Sequence, residues 1–319
     1  MNRYLVVLTL LAASATAARA QQEGPTPTQA LVQVDSAAPA VIKTSNVVLK
    51  VDNNITPLTS LAPVTPSGAQ VAILIDDGLR MSVGRELAGL RKFVESLRPG
   101  TEVFIGYMQN GRVVPAQNFT TDHAAAARSL RLPQGSPGIS ASPYFCVSDF
   151  VKKWPSARTQ GPRDLQASTV PVRKARFILM ISNGVDPYNG STSITNQNSP
   201  YVETAIRDAQ RAGVPVYSIY YSGADFHGHR SSFSGQSYLQ QIADATGGTA
   251  YYQGTGNPVS LDPFLEKFQK AVAESYIATF PAPGGKDLVR INVKSSLSNT
   301  KLRAPEMVRP GNRLSASAE

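Results

Sequence analysis

The chain is 319 residues long, 42% hydrophobic and 17% charged, with a formal net charge of +9. That length supplies one good-sized domain plus an attachment. The basic residues are scattered, with no aromatic-interleaved stripe, which argues against nucleic-acid binding. The single cysteine, Cys146, excludes an internal disulfide.

Residues 1–20 read as a secretory signal. Arg3 gives a positive start, Leu5 to Leu11 an apolar core too short to span a bilayer, and Ala18-Arg19-Ala20 a small-x-small cleavage site. A membrane anchor is the other reading of this start. No later apolar run of about 18 residues exists, so no transmembrane segment is expected after signal removal. Without Arg3 and Arg19, 29 basic residues face 22 acidic ones, and the net +7 favours anionic surfaces. The expected destination is secreted or periplasmic, with no nucleic acid among the partners.

Residues 21–44 are polar and small and read as a flexible leader. Residues 45–66 hold a short strand, Asn46 to Val51, and a turn-rich link. The first central strand is the apolar run Val71 to Ile75, which stops on Asp76-Asp77-Gly78-Leu79-Arg80. Leu87, Leu90, Val94 and Leu97 then recur at helical spacing, and Pro99-Gly100 ends that helix. Strands Glu102 to Met108 and Arg112 to Gln117 flank Asn110-Gly111, a strong hairpin signal. Thr121-Asp122 opens an Ala-rich helix, residues 132–143 form a Pro/Gly/Ser loop, and Phe145 to Trp154 reads as a helix closed by Pro155.

After a polar insertion at 156–172, Arg176 to Ile181 is a second fully apolar strand. Ser199-Pro200 starts a helix that Gly213 ends. Val214 to Tyr221 is a strand, Gln236 to Thr246 a helix, Thr249 to Tyr252 a short strand, and Ser260 to Glu274 a last helix. Tyr276 to Phe280 and Leu288 to Val293 read as a β-hairpin of their own, able to pair with strand 46–51. Strands alternating with amphipathic helices predict an α/β fold, a doubly wound, mostly parallel sheet with helices on both faces over residues 67–280. A small β-hairpin unit and tail occupy 281–319.

A buried strand that ends on a carboxylate places that acid at the carboxyl edge of the sheet, where ligands of open α/β sheets bind. The order of elements, VAILIDDGLR, Ser182-Asn183-Gly184-Val185-Asp186 and Ala212-Gly213-Val214-Pro215-Val216-Tyr217 together resemble the von Willebrand factor A family, in particular its exported bacterial members. The resemblance covers roughly residues 67–280. It implies an interaction module with a Mg²⁺ or Ca²⁺ at the carboxyl edge, held by an Asp-x-Ser-x-Ser loop, a Thr from a middle loop and a later Asp.

Against that pattern, Asp76 matches the first acid. Gly78 and Arg80 stand where the two serines belong, Asn183 where the later Asp belongs, and Ser142 is the stand-in for the threonine. A permanently charged Arg opposes a cation. The reading is therefore a degenerate metal-ion-dependent adhesion site, in which Arg80 pairs with Asp76 or Asp77 and no metal is bound. The alternative is a cation-dependent (Mg or Ca) adhesion site using Asp76, Asp77, Ser142 and Asn183.

Asp186 and Tyr188 follow the site on a long loop, which with loops 132–143 and 222–235 is expected to crown one face. Tyr188, Tyr201, Tyr220, Tyr221, Phe226 and Phe233 give that face aromatic content suited to a protein interface. Asp225-Phe226-His227-Gly228-His229 offers two imidazoles and a carboxylate, so a zinc-dependent hydrolase built on His227 and His229 is a further alternative. No nucleophile elbow, phosphate loop or dinucleotide fingerprint occurs, so an enzyme reading has no constellation to stand on. Cys146, between Phe145 and Val147, reads as a buried thiol. The expected function is that of an exported, non-enzymatic module without cofactor, binding a protein or an envelope polymer.

Overall fold

The apolar run Val71 to Ile75 lies at the centre of a parallel sheet, with every residue of its strand buried. The computed structural model describes residues 24–36, 41–136, 138–155, 173–189, 198–223, 228–254 and 256–315, apart from the side chains of 228–233. The expected signal at 1–20 and the insertion at 156–172 lie outside these residues.

In chain order the strands are β1 (Thr26–Ser36), β2 (Val47–Val51), β3 (Asn54–Thr56), β4 (Ser60–Pro63), β5 (Ala69–Asp76), β6 (Glu102–Gln109), β7 (Arg112–Thr120), β8 (Arg173–Ser182), β9 (Val216–Tyr220), β10 (Ala250–Tyr251), β11 (Ser275–Ala282), β12 (Val289–Ser295), β13 (Thr300–Arg303), β14 (Met307–Val308) and β15 (Leu314–Ser315). The helices are α1 (Leu87–Ser96), α2 (His123–Arg128), α3 (Pro143–Lys152), α4 (Pro200–Ala212), α5 (Gly228–Thr246) and α6 (Asp262–Ala273).

The central sheet runs β10-β9-β8-β5-β6-β7, with β15 beside the start of β8. All pairs along it are parallel except β6–β7. Numbered among themselves, these six strands follow the doubly wound order 3-2-1-4-5-6. Its switch point lies between β5 and β8. Alternation along β5 sends Val71, Ile73 and Ile75 to a core with Leu90, Phe93 and Val94 of α1 and Leu265 and Phe268 of α6. Ala72 and Leu74 face the opposite core, with Val147 and Phe150 of α3, Val202 and Ala205 of α4, and Leu239 and Ile242 of α5. Each large aliphatic side chain fully buried here stabilises the fold by about 1.5–3 kcal/mol.

Local signals decide where elements begin and end. The Ser199 hydroxyl accepts from the amides of Tyr201 and Val202, and Gly213 closes α4 at φ +66°. Asn110 and Gly111 both have positive φ, as a two-residue hairpin turn requires.

Three expectations change. The polar leader is in part a strand: β1 pairs antiparallel with β11, from Thr26 opposite Ala282 to Gln33 opposite Ser275. Ala30, Leu31, Val32 and Val34 are buried there, an apolar share too short and interrupted to stand out from its polar surroundings. Strands β11 and β12 do not form a hairpin with each other. They go to different sheets, β13-β1-β11-β4 and β14-β12-β2-β3. The pairing of β12 with β2 is as the alternation suggested, Ile291 opposite Val51 and Val293 opposite Leu49. Finally, residues 228–235 belong to helix α5 rather than to a loop.

Candidate functional site

The ends of β5 and β8 adjoin at the switch point, because the two strands pair in parallel through Ile75 opposite Ile181. Asp76 thus lies beside Ser182. The Asp76 carboxylate is buried, with Oδ1 accepting from the Gly78 amide at 2.9 Å and Oδ2 from the Ser182 hydroxyl at 2.9 Å. Ser182 Oγ in turn accepts from the Gly184 amide at 3.1 Å. Burial raises the Asp76 carboxyl above its ordinary value. The Gly78 amide and the Ser182 and Ser140 hydroxyls pull it back, and the neighbouring charge of Asp77 adds to the rise.

Asp77 has a different environment. Arg131 Nη1 and Nη2 donate to its two oxygens at 2.8 and 2.9 Å, the Gln134 amide donates to Oδ1 at 2.9 Å, and Gln109 Nε2 donates to Oδ2. Burial pushes this carboxyl up, but Arg131, Gln109 and the Gln134 amide outweigh it, and the group is held below its ordinary value. The guanidinium lies 3.7 Å above the centre of the Tyr107 ring. Its backbone is fixed by Tyr107 Oη, which donates to the Arg131 carbonyl and accepts from the Arg131 amide, both at 2.7 Å.

Arg80 does not make the ion pair expected of it. Its Nε donates to the Gly223 carbonyl at 2.7 Å, and its side chain is exposed. The resident guanidinium is Arg131, and it meets Asp77 rather than Asp76. The reason is topological: the chain after α2 returns across the carboxyl edge. The Gly135 amide bonds to the Asp77 carbonyl at 2.9 Å, while the Asn110 and Gly111 amides hold the carbonyls of Ile139 and Ser140. Ser142, the expected stand-in for the threonine, occupies the N-cap position of α3 without a side-chain capping bond, and its Oγ is buried without a hydrogen-bond partner. Of the serines on the loop before α3, Ser140 is the one whose hydroxyl acts on Asp76, together with Ser182 of β8.

Asn183 turns on itself, Oδ1 accepting from the Val185 amide at 3.0 Å. Asp186 is buried and accepts from the Ser199 hydroxyl at 2.5 Å and the Tyr188 amide at 3.3 Å, so it anchors the start of α4. Tyr188 is 54% exposed and packs on Phe145, which also meets Tyr201. Tyr220 and Tyr221 are buried and do not belong to an aromatic face. Phe226, His227 and the side chains of Phe233 and His229 lie outside the described residues. Cys146 is buried, and burial drives its thiol far above the ordinary value.

A divalent cation needs several hard oxygens with uncommitted lone pairs converging on one point. Both Asp76 oxygens already accept hydrogen bonds, Asp77 is neutralised by Arg131, and Gly78 brings no side chain. The loop over Gly78 leaves little room, since a Cβ there would lie 3.2 Å from the Ser136 carbonyl oxygen. The oxygens here are largely committed within the chain, a poor donor set for Mg²⁺ or Ca²⁺. Among the described residues no three His, Cys, Asp or Glu side chains converge on a metal position, and no helix is long and apolar enough to cross a membrane.

Arg131, Gln109, Gln134 and Ser140 are site residues that the sequence reading missed. Gln109 had a signal, since it ends β6, whose carboxyl end must lie at the same edge as Asp76; Gln134 and Ser140 lie on the 132–143 loop expected over that edge, and Arg131 had none.

No protein-family model and no curated protein matches the sequence. Among solved structures, a von Willebrand factor type A protein from Catenulispora acidiphila is 11% identical over 91% of this chain and 75% of its own, with a TM-score of 0.40. The ArnB paralog VWA2 from Sulfolobus acidocaldarius is 11% identical over 89% of this chain and 76% of its own, with a TM-score of 0.36. An aerotolerance-related membrane protein from Bacteroides fragilis is 12% identical over 64% of this chain and 98% of its own, with a TM-score of 0.39. Likeness of this size carries no argument alone; this chain resembles the von Willebrand factor A fold through its own strand order and the acid that ends its first central strand.

Proposed function

We propose that the chain is an exported, non-enzymatic interaction module that engages a protein or an envelope polymer through its carboxyl-edge loops, without a divalent cation. The observation that carries this reading is the two-point pair between Arg131 and Asp77, which supplies from within the chain the positive charge a metal would otherwise bring. The exposed Tyr188, backed by Phe145, supports an edge suited to a partner.

The cation-dependent reading has one observation in its favour, the unpartnered Ser142 hydroxyl. Calorimetric titration with Mg²⁺, Mn²⁺ and Ca²⁺ separates the two. The proposed reading expects no binding tighter than about millimolar, and equal capture of partners from envelope extracts with and without chelator. Tighter binding that disappears in Asp76→Ala would overturn it.

A further inference from the structure

We propose that the outer face of the sheet containing β2 and β12 docks on an anionic lipid bilayer. Alternation along the two strands turns Leu49, Val51, Val289 and Ile291 into a small core shared with Phe280 and Val308. The intervening residues Val48, Lys50, Arg290, Asn292 and Lys294 are exposed on the other side. The register places Lys50 opposite Asn292 and Val48 opposite Lys294, while β3 sets Ile55 opposite Lys50. Lys50 is therefore a diagonal neighbour of both Arg290 and Lys294, at about 7–8 Å for such positions. Lys50, Asn53, Arg290, Asn292, Lys294 and Glu306 line a concavity of about 350 Å³.

Three cations at this spacing repel one another, and among the described residues none of the three is in an ion pair. Two acids border them. Asp52 is bound to Lys286 Nζ at 2.7 Å and to the Arg290 amide at 3.0 Å, and its charge is also felt by the Arg290 side chain without an ion pair; Glu306 stands at the rim. An anionic partner relieves the repulsion. Bare aliphatics decide which anion: Ile55 is 76% and Val48 42% exposed on the same face. A soluble polyanion has no use for them, whereas a headgroup layer over hydrocarbon takes both charges and aliphatics. This surface is separate from the carboxyl edge and does not rest on the function proposed for it.

The test is cosedimentation of the full chain with vesicles of phosphatidylglycerol and phosphatidylcholine, against phosphatidylcholine alone. Binding is expected to be stronger to the anionic vesicles than to phosphatidylcholine alone, and the difference to weaken with salt. Each Lys or Arg near an anionic surface strengthens partition about fivefold. Lys50→Gln with Lys294→Gln is then expected to weaken it about twenty-fivefold, and Lys50→Glu, Arg290→Glu and Lys294→Glu together at least a hundredfold. Both variants keep the apolar N-terminus, so a loss belongs to the sheet face, and an unchanged melting temperature shows that they fold. Ile55→Asp is expected to weaken binding with all three cations intact. Equal binding by the triple variant would overturn the proposal. So would a native chain that binds dextran sulfate but leaves anionic vesicles in the supernatant.

Discussion

Arg131 grips Asp77 at two points, with the carboxylate wholly buried and the guanidinium side chain 42% exposed. One charge is out of water and its partner half in it, so most of the desolvation falls on Asp77. Gln109 and the Gln134 amide fill the lone pairs that Arg131 leaves, which is the condition for such a pair to be stable.

Removing Arg131 leaves Asp77 buried and uncompensated. Arg131→Ala is expected to lower the unfolding free energy by about 2–4 kcal/mol, less than for a fully buried pair because one partner is partly solvated. Asp77 is held below its ordinary value in the fold. Its stabilisation is therefore complete above the unfolded value of about 4 and is lost as pH falls through the lower, folded value. Urea unfolding of both proteins at neutral and acid pH checks this, since the difference between them should narrow in acid. Equal stability at neutral pH would contradict it.

Asp76 has the opposite sign. Burial raises its folded value, so from about pH 4 upward the unfolded chain releases a proton that the fold retains, and stability falls with rising pH until the folded value is passed. Asp76→Asn keeps the shape and is expected to remain within about 1 kcal/mol of native stability at neutral pH while removing this slope. Asp76→Ala strands the Gly78 amide and the Ser182 hydroxyl, a loss of about 1–3 kcal/mol. Denaturation midpoints across pH distinguish the variants, and an undiminished slope in Asp76→Asn would assign the effect to another group.

Gly78→Ser with Arg80→Ser rebuilds an Asp-x-Ser-x-Ser loop in sequence but not in space. The new Cβ would lie 3.2 Å from the Ser136 oxygen and 3.3 Å from Asp76 Oδ1. The loop carrying Ser136 is pinned by the Gly135 amide on the Asp77 carbonyl and by the Ile139 amide on Ser136 itself. The double variant is expected to lose about 1–2 kcal/mol and to melt at the same temperature with and without Mg²⁺. A melting temperature raised by Mg²⁺ would show that the site regains a cation.

Gly235 is required by close approach. A Cβ there would stand 2.1 Å from the Asn183 carbonyl oxygen, and one on Gly184 2.4 Å from the Gly235 oxygen. Helix α5 and the turn after β8 therefore meet backbone to backbone. Gly235→Ala is expected to cost about 3 kcal/mol, read by thermal unfolding. A variant as stable as the native chain would mean that α5 shifts freely at this point.

The amino-acid order determined the parts whose cause is local. The apolar runs of β5 and β8, the Asn110-Gly111 turn, the Ser199-Pro200 start and Gly213 end of α4, and the placement of Asp76 at a carboxyl edge all follow from interactions within a few residues or from simple alternation. Tertiary structure alone decided the rest. Arg131 reaches Asp77 from 54 positions away, and Thr26–Ser36 becomes a strand through β11, whose paired residues lie some 250 positions later. Arg80, adjacent in sequence and the obvious partner for the acids, turns instead to the Gly223 carbonyl. No local periodicity encodes which distant group arrives at a buried carboxylate; that is set by how the sheet stacks its strands and where the returning chain crosses its edge.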